Sequence, residues 1–75
     1  MIEKYENYYK KVGKKIKALR KEKGWSQQEL ATHCDKVDRA KISDMENAKE
    51  DFMFSTLLDI ENAFGKSIIK IVDEE

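Results

Sequence analysis

Proline is absent from the 75 residues, glycine occurs three times and cysteine once. No helical segment is therefore interrupted by a proline, and the chain holds no glycine-rich phosphate loop. Cys34 cannot close an internal disulfide and has no companion at metal-ligand spacing, so a reduced, cytoplasmic setting is expected. His33 beside it is the only histidine, which completes neither a metal site nor a Cys–His nucleophile, and no metal or other cofactor is expected. No apolar run approaches the ~18 residues of a membrane span. No signal-peptide pattern is present either, so neither insertion nor export is expected.

What is present suits one small helical domain. At about half the usual domain length, residues 1–75 are expected to form a single domain, with 1–9 as an N-terminal helical extension. Hydrophobic and charged residues each make up 40%, enough for one core beneath a heavily charged surface. Lys, Glu, Ala and Leu favour helix, and β-branched residues are thin outside the C-terminal tail, which predicts an all-α fold. So small a domain buries little surface and gains from an oligomeric partner.

The formal net charge of zero averages opposites. Residues 1–23 carry nine Lys or Arg against three Glu (net +6), residues 24–49 four basic against five acidic groups (net −1), and residues 50–75 two against seven (net −5). A chain polarised in this way can turn a cationic face to phosphates, so neutrality does not exclude nucleic acid. A solvated lysine-rich helix explains the same pattern, and Lys10-Lys11 and Lys14-Lys15 fit that description better than steering toward DNA.

Ile2, Tyr5, Tyr9, Val12, Ile16 and Leu19 follow at intervals of three and four, a helical stripe stopped by Gly24. The spacing predicts one helix over residues 3–23, with Gly13 as a weak point that can separate the extension from the domain proper. Ser26-Gln27-Gln28-Glu29 has the form of a capping box and opens a short second helix to about Cys34. Asp35-Lys36-Val37 carries no helical signal, and Asp38 caps a third helix that runs to about Asn47 with Ile42 and Met45 inward. Phe54, Leu57, Leu58, Ile60 and Phe64 outline a fourth helix closed by Gly65. Residues 67–72 read as a last short helix or as a strand. Catalysis finds no support, since no carboxylate pair has a base beside it, and no enzymatic activity is expected.

Two short helices joined by a tight turn describe a helix-turn-helix unit. Leu19-Arg20, Lys23-Gly24-Trp25-Ser26-Gln27-Gln28-Glu29-Leu30-Ala31, Ile42-Ser43, Met45-Glu46-Asn47 and Leu57-Leu58 resemble the phage repressor and Cro family, also called the XRE family, over about residues 10–72. The resemblance implies a lambda-repressor-like fold of four to five helices with a central helix-turn-helix. It also implies a sequence-specific, double-stranded DNA-binding transcriptional regulator that works as a homodimer. Small members of the family include phage repressors, controller proteins of restriction systems and antitoxins. A protein-binding helical module of the antitoxin kind, with DNA binding secondary, is accordingly the alternative.

By the same resemblance the helix of residues 38–47 is the recognition helix, and Arg39, Ala40 and Asp44 fall where relatives meet bases. Arg39 is the strongest candidate, because a guanidinium can donate two parallel hydrogen bonds to guanine O6 and N7. Lys41 and Ser43 on that helix, with the cap Asp38, stand beside it. Gln27 falls at a phosphate contact, next to Gln28, at the positive end of a helix dipole. Ser26, Asn47 and Lys49 are further phosphate candidates. Arg20 and Glu46 match positions that pair in relatives, which implies an ion pair tying the first helix to the end of the recognition helix.

The pattern is departed from in three places. Lys36 is an extra residue between the two helices, which puts the recognition register in question by one position. Ala48 replaces a glycine that commonly takes a left-handed conformation, and Asp38 and Asp44 bring negative charge to a helix that approaches DNA. Trp25 is expected in the core rather than stacked on a base. Tyr5, Tyr8 and Tyr9 either cover the domain's own core or form a dimer contact, although residues 64–72, apolar for a chain end, are the preferred dimer surface.

Overall fold

The first apolar stripe folds, from Tyr9 to Leu19, as a single long helix. A computed structural model describes residues 3–49 and 51–68. A 3₁₀ turn, Glu3–Tyr5, leads into α1, Glu6–Glu22, which buries Val12, Gly13, Ile16 and Leu19 along one face. The helix runs through Gly13 without interruption, so the expected weak point is not a break. Gly13 is instead where α1 crosses the end of the third helix, and a Cβ built there would overlap the carbonyl oxygens of Met45 and Glu46. Glycine is used for close approach of two backbones.

Helix α1 ends in a Schellman turn. Gly24 adopts φ +73°, its amide donates to Lys21 O, and the Trp25 amide donates to Arg20 O at 3.0 Å. Helix α2, Gln27–His33, starts on the expected capping box: the Glu29 amide donates to Ser26 Oγ at 3.0 Å, and the Ser26 amide to Glu29 Oε1 at 2.9 Å. Helix α3, Arg39–Glu46, is capped by Asp38, whose carboxylate accepts from the Lys41 amide at 2.8 Å. Helix α4, Phe54–Phe64, ends at Gly65 with φ +70°.

Eleven hydrophobic side chains form one core. Val12, Ile16 and Leu19 of α1 meet Leu30 of α2, Val37 of the turn, Ile42 and Met45 of α3, and Leu57, Ile60 and Phe64 of α4, with Ile68 following. No polar or charged residue is buried with them among the described residues. The five residues that outline α4 do lie on one helix, but Phe54 and Leu58 are exposed, because Leu57, Ile60 and Phe64 already fill the face that meets the core. The architecture is all-helical, as expected, and no strand occurs among the described residues. Residues 69–72, the ambiguous part of the tail, lie outside them.

Candidate nucleic-acid interface

The helix-turn-helix is built by α2, the turn at residues 34–38 and α3, and each joint is held by a specific polar contact. The turn, with the extra Lys36, is clamped from α4. The amides of Asp35 and Lys36 donate to the two carboxylate oxygens of Asp59 at 2.8 and 2.9 Å. Burial works against the charge of that carboxylate, but the amides of Asp35, Lys36 and Val37 together outweigh it and hold the pKa below the usual aspartate value. The extra residue is thus accommodated in the turn, and α3 still starts immediately after Asp38. In the sequence Asp59 is one acid among the polar residues of an amphipathic helix, and no local signal marks its role.

The far end of α3 is fixed by Arg20. Its Nε donates to Glu46 Oε2 at 2.7 Å and its Nη2 to Oε1 at 3.1 Å, while Nη1 donates to the Trp25 carbonyl at 2.8 Å. The two side chains keep only 12% and 3% of their surface exposed. Hydrogen bonding to Glu46, opposed by burial and helped by its charge, raises the Arg20 pKa above its already high ordinary value. Gln27 Nε2 also donates to Glu46 Oε1, at 3.2 Å. One carboxylate therefore gathers α1, α2 and α3.

With Ile42 and Met45 in the core and Glu46 gathered inward, α3 turns its other side outward. Arg39 and Ala40 are exposed, and Lys41, Ser43 and Asp44 are half-buried. Asn47 is exposed, but its Nδ2 donates back to Ser43 O at 2.8 Å. Ser26 and Asp38 serve as caps, Gln28 and Lys49 are exposed, and Gln27 is half-buried against Glu46. Four of the eleven candidate contacts, Ser26, Gln27, Asp38 and Asn47, thus already hold the motif together. Trp25 sits half-buried between the His33 ring, stacked at 4.0 Å, and Phe64, 6.0 Å between centroids. Its neighbours belong to α2 and α4.

Cys34, at the mouth of the turn, is half-buried, and burial together with the charges of Asp59 and Asp35 pushes its thiol up to about 11. So high a pKa keeps it an inert thiol at neutral pH. The described residues contain no group of three or more His, Cys, Asp or Glu able to hold a metal ion. No helix among them is long and apolar enough to cross a membrane.

A protein-family model described as Helix-turn-helix matches residues 16–71, well over half of the chain. The chain belongs to that family. It is the XRE, lambda-repressor-like helix-turn-helix family, whose members are DNA-binding regulators. The match takes in α2, the turn, α3 and α4 and starts at Ile16, so the first ten residues of α1 lie ahead of the family unit. No curated protein and no solved structure is significantly similar to the chain.

Proposed function

We propose that this helix-turn-helix protein is a sequence-specific, double-stranded DNA-binding transcriptional regulator that acts as a homodimer on a two-fold symmetric site. The observation that carries the reading is the mounting of α3: its core face and its last residue are held from three other segments, while Arg39 and Ala40 are left outward at its start. A helix mounted in this way can enter a major groove as a rigid body with its N-terminal residues against base edges. Arg39, Ala40, Ser43 and Asp44 are then the base-facing set. Ser26, Gln27, Gln28, Lys41, Asn47 and Lys49 line the flanks as phosphate contacts, and Asp38 acts through its cap. Two copies are needed because one small reader covers a single half-site.

The test is a salt titration of binding to selected and random duplexes. Arg39→Ala should lose about 1–3 kcal/mol on the selected site and little on random DNA, because a bidentate contact to guanine exists only where guanine is correctly placed. Gln27→Ala should weaken both duplexes alike and leave the salt slope unchanged, since the amide is neutral. If Arg39→Ala instead weakens both alike and flattens the slope by about one, Arg39 holds phosphate and Lys41 takes over base reading. A helical module that masks a protein partner is the second reading, supported by the mixed charge at α3, where Asp38 and Asp44 accompany Arg39 and Lys41. Absence of salt-dependent binding to any duplex would favour it.

A further inference from the structure

The exposed large hydrophobic side chains of the described residues are Tyr5, Tyr8, Met53, Phe54 and Leu58, at 49, 47, 72, 61 and 45% exposure. They come from only two stretches of chain, the N-terminal extension of α1 and the segment that opens α4. These stretches face each other across a groove of about 490 Å³, with Tyr5 and Tyr8 on one wall and Phe52 and Phe54 on the other. Buried Val12 and Leu57 form its floor. The walls are joined rather than loosely apposed. The Tyr9 ring meets Phe52 edge-on at 5.2 Å, and the Tyr9 hydroxyl donates to Asp51, which, after burial, adds to the raising of its pKa. The tyrosine wall lies ahead of the family match, whereas the phenylalanine wall lies within it.

Tyr and Phe side chains offer roughly 150–250 Å² each, so Tyr5, Tyr8 and Phe54, the exposed ones that line the groove, leave on the order of 300 Å² open there. That matches the largest apolar patch a typical monomer leaves open, and is over a third of the roughly 800 Å² per partner in a standard interface. The walls also differ in charge: Lys4 lines the tyrosine wall, and Asp51 lies beside the phenylalanine wall. A two-fold axis running along the groove brings each wall of one copy to the opposite wall of the other. It therefore pairs aromatics with aromatics and Lys4 with Asp51, twice.

We propose that this groove is the homodimer interface, with Met53 and Phe54 of each copy seated against Tyr5 and Tyr8 of its partner. The proposal rests on the homodimer reading above and moves the contact away from the C-terminal segment. Its test is sedimentation equilibrium of the full chain, with and without duplex DNA, for the native protein, Phe54→Asp, Met53→Asp and, as the rival surface, Ile71→Asp. Phe54 lines the groove, Met53 is its chain neighbour, and both are exposed, so a native far-ultraviolet circular dichroism spectrum is expected of either variant. A dimer dissociation constant raised by about 30-fold or more in Phe54→Asp and Met53→Asp, but unchanged in Ile71→Asp, is the expected result. A native dimer left intact by both groove substitutions would overturn the assigned surface while leaving the homodimer standing. A native protein that stays monomeric under every condition would overturn both, and pull-down of an unrelated protein by the groove would not restore them.

Discussion

At Gly13 a residue that weakens an isolated helix is required by the packing of two. Replacing glycine by alanine in a helix interior ordinarily gains about 1 kcal/mol. Here the added methyl would meet the carbonyl oxygens of Met45 and Glu46, backbone atoms that cannot rotate aside. Gly13→Ala is therefore expected to destabilise by about 1–3 kcal/mol in urea denaturation, as overpacking does. Ala48 is the reverse case. It stands at φ +51° in a Schellman turn after α3, with its amide donating to Met45 O and the Lys49 amide to Asp44 O. A Cβ in that region is strained by roughly 1–2 kcal/mol, and part of the relief on removing it is offset by the freer unfolded chain. Ala48→Gly should thus stabilise by about 0.5–1 kcal/mol. If both substitutions moved stability in the direction helix propensity alone dictates, the tight crossing at Gly13 would be wrong.

Between elements, the turn joining α2 to α3 has amides, those of residues 35–37, that find no acceptor in either helix of the motif. Asp59 supplies that function from α4, and its carboxylate is held below the usual aspartate pKa by the amides it receives. A carboxyl group with a lowered folded pKa contributes stability that is fully present above its unfolded pKa, about 4, and is lost as pH falls through the folded value. Asp59→Asn should cost about 1–2 kcal/mol at neutral pH, in the range of a lost carboxylate cap. The gap between the two proteins should close in acid below about pH 4. Thermal melts across that range decide the matter, and a gap that persists undiminished in acid would remove the charge from the explanation. Amide exchange at Asp35 and Lys36 should quicken in the same variant, because the amides lose their acceptor.

Across the whole molecule, the Arg20–Glu46 pair sets the angle at which α3 is presented, since it joins the end of that helix to α1 and, through Trp25 O and Gln27, to the start of the motif. Both side chains are largely out of water, so removing one strands the other. Arg20→Met is expected to cost about 3–5 kcal/mol, whereas the double variant Arg20→Met/Glu46→Leu should recover part of that loss by leaving no charge unpaired. Equal destabilisation of single and double variants would show that packing of the arginine stem, and not the stranded charge, is what matters.

Periodicity and local chemistry were sufficient for the elements. The three-and-four spacing of Val12, Ile16 and Leu19, the Ser26–Glu29 box, the Asp38 cap and the glycines after α1 and α4 are short-range signals, readable within a few residues. The helix-turn-helix itself was legible for the same reason, being two such helices and a turn. What lay beyond reach involves partners distant in the chain. Gly13 looked like a weak point because its neighbour across the crossing is more than thirty residues away, and Asp59 carried no local signal because the amides it caps are more than twenty residues upstream. The exposure of Phe54 and Leu58 was not legible, because a helical stripe tells which side is apolar but not how much of it the other helices have room to cover. That room is decided by tertiary packing. It leaves an aromatic groove between the N-terminal extension and α4 that composition counts only as hydrophobic content.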